Sequence, residues 1–166
     1  MSGTKHLGVL DELLPKKRDS DELIQRKTKI EIIKRIIMKH YTDAVKAFHE
    51  AFGLGIEQEP KADLGDKKHL LRFNLMKEEN QEYLEAANNG DLVEVADALG
   101  DMLYILCGTI IEHGLQDKIA TVFDEIQRSN MSKLGQDGTP IYREDGKVLK
   151  GPNYFKPDIG SILENN

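Results

Sequence analysis

The chain has 166 residues, of which 39% are hydrophobic and 31% charged, and its formal net charge is −6. This length fits one globular domain, and the negative charge argues against non-specific binding of nucleic acid. The single cysteine, Cys107, excludes an internal disulfide framework. No apolar stretch reaches the length of a signal peptide core or a membrane span, so we expect a cytoplasmic protein with no membrane partner.

The chain begins with a mixed segment and then becomes helical. Residues 1–20 include Pro15 and a short basic run, and we predict that they form a flexible N-terminal segment. From Asp21 onward, isoleucines recur near helical spacing with lysines and arginines between them, which predicts a basic amphipathic helix. Such a helix can bind a membrane or a partner, but the acidic residues at its start favour a bundle helix with a solvated outer face.

Capping residues and glycines divide the rest of the helical region into four further helices. They are predicted to start at Thr42 or Asp43, after Asp66, after Asp91 and near Gln116. They are predicted to end at Gly53, near Asn88, at Gly114 and near Leu134. We expect the apolar side of the fourth helix to face the core, and it carries Leu92, Val95, Leu99, Met102, Leu103, Leu106 and, as a small buried residue, Cys107.

The composition changes after residue 134, where Gly, Pro and Lys become frequent. The stretch IYREDGKVL within this tail predicts a small hairpin around an Asp-Gly turn. The sequence therefore predicts an all-α fold, a bundle of four to five helices over residues 21–134. A basic tail, residues 135–166, is expected to pack on that bundle.

Acidic residues line one face of each of two neighbouring predicted helices. The third helix carries Glu78, Glu79, Glu82 and Glu85, and the fourth carries Glu94, Asp97 and Asp101, all at three- or four-residue spacing. The connection between these helices, NNGD, is short and predicts antiparallel packing. The two acidic stripes can therefore face each other.

Facing carboxylates are costly unless a cation lies between them. No lysine or arginine lies between Glu78 and Asp101, and the oxygen ligands available there suit Mg²⁺, or Mn²⁺, better than Zn²⁺. Such a metal site favours hydrolysis of a phosphoanhydride. The alternative interpretation is a solvated acidic face on a non-enzymatic helical interaction module.

The stretches KEENQEYLEA and EVADALGDMLYIL resemble the all-α nucleoside triphosphate pyrophosphohydrolases, the MazG-type and phosphoribosyl-ATP pyrophosphohydrolase-like superfamily. The family signature is Glu-Glu-x-x-Glu followed, after a gap, by Glu-x-x-Asp. Glu78, Glu79 and Glu82 match the first half. In the second half Ala98 lies three residues before Asp101, whereas Glu94-x-x-Asp97 satisfies the motif one turn earlier, so either Glu94 or Asp97 could join Asp101 at the metal.

The resemblance implies a Mg²⁺-dependent enzyme that cleaves a nucleoside triphosphate between the α and β phosphates, releasing pyrophosphate. It implies that Glu79 and Glu82, with Asp97 and Asp101, bind the metal and that Glu78 is the base. The family assembles as dimers or tetramers, so we expect a homodimer or a homotetramer. Phosphoribosyl-ATP is the nearest alternative substrate.

Phosphate oxygens also need cations or N–H donors, and the chain has no glycine-rich phosphate loop. The end of the fifth helix and the basic tail are the best supply. The candidate substrate-binding residues there are Asn130, Lys133, Lys147, Lys150 and Tyr154. Tyr154 and its neighbour Phe155 could stack on a base or anchor the tail.

Overall fold

The computed structural model describes residues 17–164, apart from the side chains at positions 17–21, 23, 27 and 31. Within that range it contains five helices and no β-strand, which confirms the predicted all-α fold. The helices are α1 (Lys17–Phe52), α2 (Asp66–Asn89), α3 (Leu92–Glu112), α4 (Ile119–Met131) and α5 (Ile159–Glu164).

The first two predicted helices form one continuous helix, α1. Thr42 and Asp43 were expected to cap a new helix, but their side chains are bound inside α1. The Thr42 hydroxyl donates to the carbonyl oxygens of Met38 and Lys39, at 3.3 and 3.1 Å. The Asp43 carboxylate accepts from Lys39 Nζ at 2.8 Å. Because both side chains bind one turn back, neither interrupts the helix.

The boundary between two compact units falls within α1, after Ile37. In the first unit the described residues, 17–37, are helical, and their isoleucines are exposed. The sequence predicts a flexible segment over residues 1–20. Residues 1–16 lie outside the described residues, so flexibility there stays a prediction. In the described part of the chain, no helix combines the length and apolarity needed to cross a bilayer.

In the second unit, α2 and α3 form an antiparallel hairpin. α2 ends at Gly90, which has a φ of 68° and adopts the left-handed conformation that glycine tolerates best. Asp91 then caps α3 as predicted, because its Oδ1 accepts from the backbone N–H groups of Val93 and Glu94 at 3.0 and 3.2 Å. This two-residue connection holds the two acidic helices side by side.

The hydrophobic core of the second unit lies at the end of the hairpin where α3 finishes. Val45 of α1 packs there with Cys107 and Ile111 of α3, and Ile56 covers the cluster from the following loop. Burial of Cys107 confirms the expectation from its sequence position. The loop is fixed to α3 by a backbone hydrogen bond from the Glu57 N–H to the Ile111 carbonyl at 3.1 Å.

The expectation that the leucine stripe of α3 faces the core is wrong. Leu92 is 78% exposed, and Leu99, Leu103 and Leu106 are also exposed. The residues of α3 that are buried are Ala98, Cys107, Gly108, Ile110, Ile111 and Glu112. Most of them lie in the last two turns of α3, so the leucines nearer its start remain exposed within one chain.

The tail after α4 is irregular but ordered. Its predicted hairpin is a tight turn with one antiparallel bridge between Tyr142 and Val148. The Arg143 N–H donates to the Lys147 carbonyl at 2.8 Å, and Gly146 has a φ of 82° at the turn. The chain then continues to the short helix α5, which the sequence analysis did not predict and which packs on α4.

Candidate active site

Glu79, in the middle of α2, is partly buried and lies within electrostatic range of acidic residues on both α2 and α3. The negative charges that act on it come from Glu82, Asp101, Glu78 and Asp97. The structure therefore brings together carboxylates from both predicted acidic stripes.

The Glu79 carboxylate is in an unfavourable environment for its charge. Burial is the largest cause that raises its pKa above the ordinary value of 4.5, and repulsion from Glu82 and Asp101 follows. Its Oε2 atom is buried and lacks a hydrogen-bond partner among the described residues. A buried oxygen of this kind needs a donor or a cation to offset its lost hydration.

The remaining acidic residues lie along the same flank of the hairpin. Glu94 lines a cavity of about 350 Å³ together with Glu82 and Glu85, next to the α2–α3 connection. Asp97, in contrast, is among the charges that raise the pKa of Glu79. Of the two residues left open by the sequence, Asp97 is therefore the one coupled electrostatically to the Glu79–Asp101 pair.

The chemistry of this cluster fits a divalent metal that prefers oxygen ligands. Every charged group acting on Glu79 is a carboxylate, and the buried Glu79 oxygen is an available ligand. Across residues 17–164, no three His, Cys, Asp or Glu side chains are grouped closely enough to hold an ion as they stand. Glu78, Glu82, Asp97 and Asp101 are exposed, and exposed carboxylates change rotamer at little cost.

The candidate substrate-binding residues form two neighbouring pairs at the end of α4. Lys133 Nζ donates to Asn130 Oδ1 at 2.8 Å. Lys150 Nζ lies 4.3 Å from the centre of the Tyr154 ring, a cation–π contact. The pairs are joined because the Gly151 N–H donates to the Lys133 carbonyl at 2.9 Å. This hydrogen bond brings the segment that carries Lys150 and Tyr154 next to the end of α4.

The fifth residue, Lys147, lies in the hairpin turn, where its backbone N–H donates to Asp145 Oδ1 at 3.1 Å. Phe155 anchors the tail. Its carbonyl accepts from Ser129 Oγ at 2.8 Å, and the Arg128 guanidinium lies 4.3 Å from its ring centre. Arg128 also binds Glu125 at 2.7 Å within α4, and its side chain remains 61% exposed.

Sequence reasoning missed a buried arginine in the α2–α3 contact. Arg72 is 7% exposed, and its Nε donates to Thr109 Oγ1 at 2.9 Å while Nη2 donates to the Ile105 carbonyl. Its Nη1 lies 3.8 Å from Glu112 Oε1. Burial lowers the pKa of Arg72, and the Glu112 charge opposes this effect. A signal was available, since Arg72 lies two helical turns before Glu79 on the same face of α2.

The neighbouring residue Gly108 allows this arginine to approach α3. A Cβ atom at position 108 would lie 2.9 Å from Arg72 Nη2 and 2.9 Å from His49 Nε2. His49 is itself buried, and its Nδ1 lies 2.8 Å from the Gly55 carbonyl. The absence of a side chain at Gly108 therefore makes room for two buried polar groups.

Comparison with known proteins adds a family match. The family model described as phosphoribosyl-ATP pyrophosphohydrolase matches residues 45–130, a little over half of the chain. Among the solved structures, the chain is similar to a candidate NTP pyrophosphohydrolase from Exiguobacterium sp. 255-15, with 26% identity and a TM-score of 0.40. That match covers 72% of this chain and 90% of the other. No curated protein matches the chain significantly.

Proposed function

Because the chain belongs to the phosphoribosyl-ATP pyrophosphohydrolase family, we propose that it hydrolyses the α–β phosphoanhydride of a nucleoside triphosphate. The products are the nucleoside monophosphate and pyrophosphate. The observation that carries this proposal is the partly buried Glu79 carboxylate, whose charge is disfavoured by burial and by four further acidic residues on α2 and α3. A cation bound beside Glu79 would offset both effects.

The metal in this proposal is Mg²⁺, with Mn²⁺ as a substitute. Glu79, Glu82, Asp97 and Asp101 would hold it, and Glu94 is the remaining candidate ligand at the edge of the cluster. When bound, the ion neutralises charge on the phosphate oxygens and polarises the phosphorus that water attacks. The preference for Mg²⁺ follows from the ligands, which are all carboxylate oxygens.

The protein's own groups would supply the base and the orientation of the substrate. Glu78 lies on the exposed side of the cluster, where it can take a proton from the attacking water. Lys133 and Asn130 would bind phosphate oxygens, with Lys147 and Lys150 adding positive charge. Tyr154 offers a ring face for stacking on a base.

Phosphoribosyl-ATP is a second candidate substrate, and the name of the matching family favours it. Its hydrolysis breaks the same α–β bond, so the acidic cluster would act in the same way. Discrimination between phosphoribosyl-ATP and a nucleoside triphosphate would come from the part of the site that contacts the base and the phosphoribosyl group on it. The proposed reaction class is therefore independent of which substrate is correct.

The test is pyrophosphate release with Mg²⁺ from a panel of ribo- and deoxynucleoside triphosphates and phosphoribosyl-ATP. The full chain and its Glu82→Gln variant are compared. We expect release by the parent chain from at least one member and loss of that activity in the variant. A folded protein with no activity on any member would instead support a helical interaction module.

We also propose that the chain functions as a homodimer or a homotetramer. The support is apolar surface that one chain leaves exposed, including Leu99, Leu103 and Leu106 along α3. Replacing Leu103 with Glu should shift the parent's mass, measured by light scattering, towards the monomer. Replacing the similarly exposed Leu163 of α5 with Glu is the control. A monomeric parent chain would contradict the proposal.

A further inference from the structure

Arg72 and the α3 residues that it contacts lie outside the carboxylate site, yet they join the two helices that carry that site. All three guanidinium nitrogens of Arg72 face α3, where they meet Thr109, Ile105 and Glu112. A planar guanidinium held at three points resists both sliding and rotation. Ala86, the other buried residue of α2, has only a methyl side chain and cannot make a directional contact of this kind.

The spacing along both helices connects this contact to the carboxylates. Glu79 lies seven residues after Arg72 on α2, and Asp101 lies eight residues before Thr109 on α3. At 1.5 Å per residue these spans are about 10 and about 12 Å. Because the helices are antiparallel, fixing Arg72 on Thr109 places Glu79 opposite Asp101. A slip of one turn would move them apart by about 5 Å.

The carboxylates around Glu79 cannot themselves hold α2 in register with α3. They repel one another, since Glu82, Asp101, Glu78 and Asp97 all disfavour the charge on Glu79. The Gly90–Asp91 connection joins the helices at one end of the hairpin, and the Arg72 contact holds them on the other side of the carboxylates. The Arg72 contact is also a poor choice for stability alone, because a buried ion pair contributes no more than well-packed apolar residues of similar size.

We propose that Arg72 is a positioning residue that fixes the register of α2 on α3 and so holds Glu79 and Asp101 ready to bind a divalent metal. Thr109 is its main anchor, and Gly108 leaves the space it needs. Glu112 balances its charge and is shared with Lys68, whose Nζ lies 3.6 Å from Glu112 Oε2. This inference rests on the proposed function, since it assumes that the carboxylate cluster binds a metal.

The test is the affinity for Mn²⁺, measured by calorimetry on the full chain without nucleotide. Thr109→Val keeps the side-chain shape but removes the oxygen that accepts from Arg72. Arg72→Lys keeps the charge but loses the three-point contact. We expect each to weaken Mn²⁺ binding about tenfold, the order found when a supporting contact behind metal ligands is lost. Ile111→Val destabilises the nearby core and should keep the affinity of the parent.

The outcomes separate this inference from the proposed function. A parent chain that does not bind Mn²⁺ would overturn both. If the parent binds Mn²⁺ and both Thr109→Val and Arg72→Lys bind it with the same affinity, the positioning role alone is overturned. Loss of affinity in Ile111→Val to the same degree would also overturn it, because reduced stability would then explain the effect. Folding of each variant is checked by circular dichroism at the temperature of the titration.

Discussion

Replacing Glu79 with Gln should abolish Mg²⁺-dependent hydrolysis and, at the same time, stabilise the metal-free protein. The loss of activity should be roughly 100-fold or more, the order found when one group that stabilises charge in a transition state is removed. The gain in stability follows from the raised pKa of Glu79, which shows that its charge is disfavoured in the folded state. The measurements are pyrophosphate release and thermal unfolding, each with Mg²⁺ and with a chelator.

The pH dependence of stability gives an independent check on the same residue. The folded protein holds the Glu79 proton more tightly than the unfolded chain, where the ordinary value of 4.5 applies. Stability of the metal-free parent should therefore fall as the pH rises from below 4.5 through the raised pKa. Glu79→Gln lacks this titrating group. It should therefore be more stable than the parent at pH 7 and equally stable below about pH 4.

The matched control for this prediction is Glu50→Gln, the same chemical change at an exposed position of α1. It should leave activity, the Mg²⁺ effect and the pH profile of the parent unchanged. The parent should gain melting temperature with increasing Mg²⁺, whereas Glu79→Gln should not. If Glu79→Gln is less stable than the parent at pH 7 with a chelator present, the charge on Glu79 is not disfavoured in the metal-free protein and the prediction is wrong.

Replacing Gly151 with Ala should raise the KM for the nucleotide about tenfold while leaving metal binding unchanged. A Cβ atom there would lie 2.2 Å from the Leu134 carbonyl oxygen and 2.7 Å from that of Lys133. These are backbone atoms at the end of α4, so the tail must move away and break the Gly151–Lys133 hydrogen bond. That movement separates Lys150 and Tyr154 from Lys133. A tenfold change matches the loss of one hydrogen bond to a charged phosphate.

Steady-state kinetics and Mn²⁺ calorimetry together test this prediction. Gly160→Ala is the control, because a Cβ atom there would meet only Asp158 Oδ1 at 3.8 Å, an ordinary contact. It should behave like the parent chain in both measurements. An unchanged KM in Gly151→Ala would show that the tail braces α4 without binding the nucleotide. A change in Mn²⁺ affinity would show that the tail acts on the acidic helices.

Much of the candidate site was accessible from local sequence. Glu78, Glu79 and Glu82 share helical spacing, and the Asn-Asn-Gly-Asp connection supplies both a left-handed C-cap and an N-cap. These are local properties that depend on a few neighbouring residues. The sequence could not rank Glu94 against Asp97, because that choice depends on how the two helices are rotated about their axes. The coupling of Asp97 to Glu79 comes from the packed hairpin.

The same limit explains the errors in the predicted fold. Thr42 and Asp43 have good capping propensity, but their side chains bind within α1 and the helix continues. The leucine pattern of α3 predicted a core face, yet Leu99, Leu103 and Leu106 are exposed, and Arg72 of α2 contacts α3 through Ile105, Thr109 and Glu112. Helical periodicity identifies an apolar face without identifying what covers it.

The sequence by itself determined the all-α class, the α2–α3 hairpin and the identity of the clustered carboxylates, since spacing and capping are encoded over a few residues. Only the tertiary structure decided which carboxylate is buried, which charges act on it and what joins the two helices. Burial and repulsion depend on atoms that are distant in the chain, as Glu79 and Asp101 are. The contact between Arg72 and Thr109, 37 residues apart in the chain, is likewise visible only in the folded protein.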